Sequence, residues 1–165
     1  MTTAQRLALG AKLKAKRVKQ PLVVIDEAQK QGILIGSALA MLEMETGIPQ
    51  RNIFGCDHGA GRAFCHQRVT KERVAALRRS QLANGVGWTQ LTYPPFVAQA
   101  DREGGAHIPR FQMRVGFSVL RDNYDRLGSV YSMYRAYNGT GPAAEAYANQ
   151  AIQLRAKWLA VTGGK

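Results

Sequence analysis

The chain has 165 residues, 45% of them hydrophobic and 21% charged. That length suits one domain with its own core, and the balance excludes bulk disorder. Its 23 Lys and Arg against 11 Asp and Glu give a formal net charge of +12, which selects anionic partners: nucleic acid, lipid headgroups or the acidic polymers of a cell wall. Cys56 and Cys65 are too few for a disulfide framework. The longest apolar run, Ile33 to Leu42, is broken by Gly36 and Ser37, so no segment is expected to span a membrane.

Residues 1–20 carry Lys12, Lys14, Lys16, Arg17 and Lys19 among Leu7, Leu9, Leu13 and Val18. The stretch suits either a basic amphipathic helix or a solvated extension, and we expect the extension. It lacks an apolar core followed by a small-residue cleavage site, so no secretory signal is expected and the chain is made in a cytoplasm. The compact domain is expected over 21–165. Pro21 opens a helix to about Gln31, and Gly32 breaks it. From about Leu34 to Glu45 the pattern is apolar nearly all round, as in a buried central helix, and Thr46-Gly47-Ile48-Pro49 stops it.

Residues 50–61 are Gly-rich and loop-like. A helix follows from about Thr70, which suits an N-cap, to Ala83. Asn84-Gly85-Val86-Gly87 makes a turn, and Val86 to Tyr93 has extended character. Helices are expected over Phe96–Glu103, Pro109–Leu127, Val130–Tyr137 and, past a Gly-rich break, Pro142–Leu159. The class is mainly α with a short extended or β insert.

Three places carry candidate chemistry. Glu45 closes the buried helix, on the face of Leu34, Ala38 and Met41 at about 100° per residue. Burial and the negative helix end both disfavour its charged form, as a general acid near neutral pH requires. Glu43 points about 200° away and is the weaker candidate. Next comes Gly85-Val86-Gly87-Trp88-Thr89-Gln90-Leu91, where glycines admit a close ligand, Trp88 offers a flat face, and Thr89 and Gln90 offer polar groups. Last is Ala136-Tyr137-Asn138-Gly139, a polar helix end beside glycine. Taken singly, these last two also fit a tight turn with Trp88 in the core and an ordinary Asn-Gly helix stop.

In order and spacing the three together resemble the lytic transglycosylases of the lysozyme superfamily, which pair a Glu-Ser with a Gly-Leu-Met-Gln and an Ala-Tyr-Asn-x-Gly. The resemblance runs from Leu34 to Tyr147. The stretch Gln50 to Asp57, the Gly87-Trp88-Thr89-Gln90-Leu91-Thr92 run and Tyr137-Asn138-Gly139-Thr140-Gly141-Pro142 look most like catalytic domains of endolysins from phages of actinobacteria. Thr46 stands where the family usually has Ser, and Trp88-Thr89 replaces Leu-Met.

The resemblance implies a lysozyme-like α+β fold, with the extended insert beside the active-site cleft. It implies an enzyme that cuts the bond between N-acetylmuramic acid and N-acetylglucosamine in peptidoglycan, with Glu45 as acid and then base and a 1,6-anhydro product. Thr46, Trp88, Thr89, Gln90, Tyr137 and Asn138 would hold or enclose the sugar. A hydrolytic lysozyme needs a second carboxylate, for which Asp57 is the first candidate and Asp101 the next. No cofactor is implied, the partners are peptidoglycan and anionic wall polymers, and a monomer is expected to act at the wall after release.

Cys56, His58, Cys65 and His66 fall within eleven residues. Their spacing does not match zinc-site patterns, and adjacent Cys65-His66 would strain a shared metal. Free thiols are expected there, ahead of a Cys56–Cys65 disulfide formed at an oxidising surface. His107, beside Ile108-Pro109, suits packing or surface. The rival class is a nucleic-acid binder, motivated by +12 and Arg73, Arg78 and Arg79, but no helix-turn-helix, zinc-finger or RNP-like signature supports it. A second rival is a lysozyme fold that binds wall without cutting it.

Overall fold

The computed structural model describes residues 1–57 and 63–165. It is mainly helical, with 68% of residues in helix. In chain order the helices are α1 (Thr3–Ala15), α2 (Pro21–Lys30), α3 (Ile35–Thr46), α4 (Lys71–Ser80), α5 (Pro94–Glu103), α6 (Pro109–Leu127), α7 (Val130–Asn138) and α8 (Gly141–Thr162). Their starts follow local chemistry. Proline fixes the first turn of α2, α5, α6 and α8, where its missing N–H costs nothing. Thr70 caps α4, Ser129 caps α7, and Thr2 with Gln5 forms a capping box on α1. No helix among the described residues is long and apolar enough to cross a membrane.

The main core gathers around α3, whose residues Ile35 to Leu42 are all buried. It packs most extensively on α8. The two helices approach closely because small residues face the contact. A Cβ on Gly36 would lie 2.7 Å from Leu159 Cδ2 and 3.0 Å from Leu159 N. A second, smaller core joins Phe54, Val69, Val74, Leu77, Val86, Leu91, Val97, Ala100, Ala106 and Val115. Helix α6 serves both, sending Met113, Phe117 and Leu120 into the first and Val115 into the second. It is tied to α2 by Glu27, only 3% exposed. Glu27 accepts a bidentate pair of bonds from Arg114 at 2.9 and 3.0 Å. A carboxylate so deep persists only because it is paired.

Two expectations are corrected. Residues 1–20 are not a solvated extension. Leu9, Leu13 and Val18 join the main core, with Leu13 wholly buried, and Arg6 bonds Asp26 of α2 at 2.5 Å through two nitrogens. Leu9 and Leu13, four residues apart, give α1 one buried stripe, Val18 adds to it from the turn after the helix, and together they outweigh the basic face left in water. The extended insert, for its part, is reduced to two isolated bridges, Ile53 with Arg68 and Phe54 with Val86. Gly87–Thr89 forms a 3-10 turn instead. Gly87 and Gln90 both take positive φ, so the chain folds back and Val86 and Leu91 exchange backbone bonds at 3.1 and 3.2 Å. An extended run cannot continue through that reversal.

Candidate active site

Glu45 sits in the last turn of α3, part-buried. The α3–α8 packing puts Tyr147 against it, and the Tyr147 hydroxyl donates to Glu45 Oε1 at 2.5 Å. Burial pushes the Glu45 carboxyl up from its ordinary 4.5 to about 7; the Tyr147 bond opposes the rise, and the negative charge of Asp57 adds to it. Desolvation wins because a carboxylate loses more hydration than one hydroxyl returns. Burial likewise holds the Tyr147 and Tyr137 hydroxyls well above their ordinary range, with the Glu45 charge acting in the same direction. Glu45, Asp57, Tyr137 and Tyr147 therefore share one electrostatic neighbourhood, supplied by α3, the segment after it, α7 and α8.

Glu43 is differently employed. Its carboxylate accepts from Lys157 Nζ at 2.8 Å and from the Trp158 indole at 2.6 Å. It fastens α3 to α8 and is spoken for, as its helical phase suggests.

Asp57 is exposed, yet one oxygen is anchored: Gly85 N–H donates to Oδ2 at 2.6 Å, and Thr92 Oγ1 lies at 3.5 Å. Gln90 acts as a tie-bar. Its Nε2 donates to the carbonyls of Gly87 at 2.7 Å and Ile53 at 3.0 Å. Its Oε1 lies so close to Gly85 that a Cβ there would be 2.2 Å away, which is why that position has no side chain. Gln90 and Tyr137 also line one cavity of about 460 Å³, with Thr92, Tyr93, Phe96 and Asn123 around it. Tyr93 is 59% exposed at its rim and stacks edge-on against Phe96, an aromatic surface of the kind sugars use.

Three expected sugar contacts turn inward instead. Trp88 is 2% exposed and packs in the main core, and it does not line the Gln90–Tyr137 cavity. Its backbone N–H donates to Gln112 Oε1 at 2.8 Å. Thr89 is fully buried, with its hydroxyl donating to the Gln112 carbonyl at 3.0 Å. The Thr89 carbonyl accepts from the Tyr137 hydroxyl at 2.6 Å, so Thr89 positions Tyr137 from behind. The Thr46 hydroxyl is also buried and turns back toward the Leu42 carbonyl at 3.5 Å. Asn138 ends α7 and is exposed.

The cysteines form a Cys56–Cys65 disulfide, which corrects the expectation of free thiols. Backbone pairing of Phe54 with Gln67 and His66 closes the loop and brings the two Cα atoms to 4.6 Å, within bridging range. His66 lies beside the sulfurs, but sulfurs joined to each other are not thiolate ligands. His58 lies outside the described residues. Asp101 is committed elsewhere, to Arg78 at 2.5 Å and Ala106 N–H at 3.1 Å.

Two residues that build the candidate site escaped the sequence reading. Tyr147 stands on the buried face of α8 among Ala144, Ala148 and Ala151. A lone polar-tipped ring on an alanine stripe is the signal that would have found it. Gln112 is buried in α6 and bonds Trp88, Thr89, Asn52 and Ala106 at once; nothing in its own neighbourhood of sequence announces that. No family model, curated protein or solved structure matches this chain.

Proposed function

We propose that this protein cleaves the glycan strand of peptidoglycan, with Glu45 as the acid that protonates the glycosidic oxygen. The observation that carries the reading is the Glu45 carboxyl itself, raised to about 7 by burial while bonded at Oε1 to Tyr147. At neutral pH such a group is protonated about half the time. With Oε1 taken by Tyr147, Oε2 is the oxygen that holds the transferable proton. The buried Tyr147 hydroxyl, bonded to Oε1, holds the rotamer of the acid, and the Tyr137 hydroxyl beside it is held by the Thr89 carbonyl. The proposed fold is lysozyme-like, and the proposed partners are peptidoglycan and anionic wall polymers, with the net charge of +12 favouring approach to them. The proposed setting is a phage endolysin acting at the wall of its host.

In the transglycosylase form of this chemistry the Glu45 carboxylate then takes the proton of the muramyl hydroxymethyl group, whose oxygen closes on the anomeric carbon as the leaving sugar departs. A second form, hydrolysis, is favoured by one observation: Asp57 lies near enough for its charge to act on Glu45. There Asp57 would act on water or on the sugar cation.

The test is clearing of purified peptidoglycan by the wild-type chain and by Glu45→Gln, with mass spectrometry of the soluble products. Clearing by wild type alone with anhydromuramyl ends supports the first form, and reducing ends support the second. Equal clearing by both proteins overturns the role of Glu45; clearing by neither overturns the enzymatic reading in favour of a binding module.

A further inference from the structure

Away from Glu45 lies a second and larger cavity, of about 600 Å³. It is walled by the α1–α2 junction, the segment leading into α4 and the start of α6. Lys19, Arg68 and Lys71 line it, with one acidic residue, Glu72. The Glu72 carboxyl is held below the usual carboxylate range, first by its own backbone N–H and the Thr70 hydroxyl and then by His107 and Lys71 nearby. None of the three cations has a carboxylate partner among the described residues.

The wall also holds an unanswered donor. Gln50 lines the cavity and is wholly buried. Its Oε1 accepts the Lys19 N–H at 2.9 Å, which fixes the orientation of the amide, since only the oxygen accepts. Its Nε2 is left with no hydrogen-bond partner among the described residues. His107 Nδ1, on the same wall, is buried and likewise has no partner among the described residues. Buried polar nitrogens are almost always bonded, and Gln50 Nε2 can only donate, so its place beside Lys19, Arg68 and Lys71, against the single acid Glu72, points to a ligand with acceptor oxygens.

We propose that this cavity binds a phosphate group, either as the free anion or as a phosphate ester. Phosphate offers more acceptor oxygens than a carboxylate, in a tetrahedral array that an arginine fork, two ammonium groups and an amide can share. The volume exceeds what inorganic phosphate fills, leaving room for the polyol or sugar of an ester. Binding here needs neither Glu45 nor turnover, so the site stands or falls apart from the glycan-cleavage reading.

The test is titration of the isotope-labelled wild-type chain with inorganic phosphate and with glycerol 1-phosphate, followed by amide NMR, with sodium chloride as control. Saturable shifts of the Gln50 side-chain amide and of the Arg68 and Lys71 backbone are expected, with Kd of about 1 mM or tighter. Affinity is expected to fall about tenfold in Arg68→Gln/Lys71→Gln, two surface changes that leave the core alone. Saturation by both probes supports an ester site, and saturation by inorganic phosphate alone supports a free-anion site. Shifts that track ionic strength as in sodium chloride, or an affinity unchanged in the double variant, overturn the proposal.

Discussion

Replacing Glu45 with Gln keeps the shape of the side chain and an oxygen for the Tyr147 hydroxyl, but removes the ionisation. The folded carboxyl titrates near 7 against an ordinary 4.5. The native state therefore binds more protons than the unfolded chain between those values. Its stability is whole below 4.5 and is lost as pH rises through 7. At 1.36 kcal/mol per pH unit the loss approaches about 3 kcal/mol, an upper bound because the carboxyl keeps some contact with water. The variant has no such loss. Urea unfolding of both proteins, followed by the buried Trp88 and Trp158, checks this from pH 4 to pH 9. The two should match at pH 4, once allowance is made for a constant offset. The variant should pull ahead through pH 5 to 7 and hold its lead above pH 8, with a gain in Tm of roughly 5–10 °C. A difference that does not change with pH would refute the claim that burial raises the Glu45 carboxyl.

Further outcomes follow from the same geometry. Tyr147→Phe removes a bond that favours the charged Glu45, so the alkaline limb of the pH–activity profile should move to higher pH; Asp57→Asn removes a repulsion and should move it lower. Opposite displacements in the two profiles are the required result. Reducing the Cys56–Cys65 bridge, which spans a sequence separation of nine, should cost about 2–3 kcal/mol of stability by the loop-entropy estimate, read from melts with and without reductant. Gly36→Ala should destabilise by about 1–3 kcal/mol, since the new methyl meets backbone as well as the Leu159 side chain; denaturant titration measures it.

The helices were readable because their ends carry local chemistry: proline at the starts of α2, α6 and α8, Thr70 before α4, Gly after α3 and α6; the start of α5 was placed at Phe96, two residues past the Pro94 that opens it. Helical phase also separated Glu45 from Glu43, because α3 is regular and its buried face is continuous. The turn after Gly85 was not readable in the same way. Which way Trp88 and Thr89 face depends on Gln112, which reaches them from another helix, and no local pattern encodes that contact. The disulfide has the same character, since the pairing around Phe54 brings Cys56 and Cys65 together. In residues 1–20 the conflict was between a lysine-rich composition and three well-spaced apolar residues. Packing decided it, as it usually does when a stripe finds a partner.

The acid is built on a bundle and its negative neighbour is not. Glu45 and Tyr147 belong to α3 and α8, the pair of helices that packs most extensively in the fold. Asp57 belongs to a short non-helical stretch, held by the Gly85 amide and joined to the bundle through the Gln90 tie. Any swing of that stretch changes the Glu45–Asp57 separation and leaves the Glu45–Tyr147 bond alone. The titration of one carboxyl thus becomes a gauge of where the stretch stands. A carboxyl-carbon NMR signal from Glu45 would register a displacement of Asp57 as a change in proton affinity, without any label on the moving part.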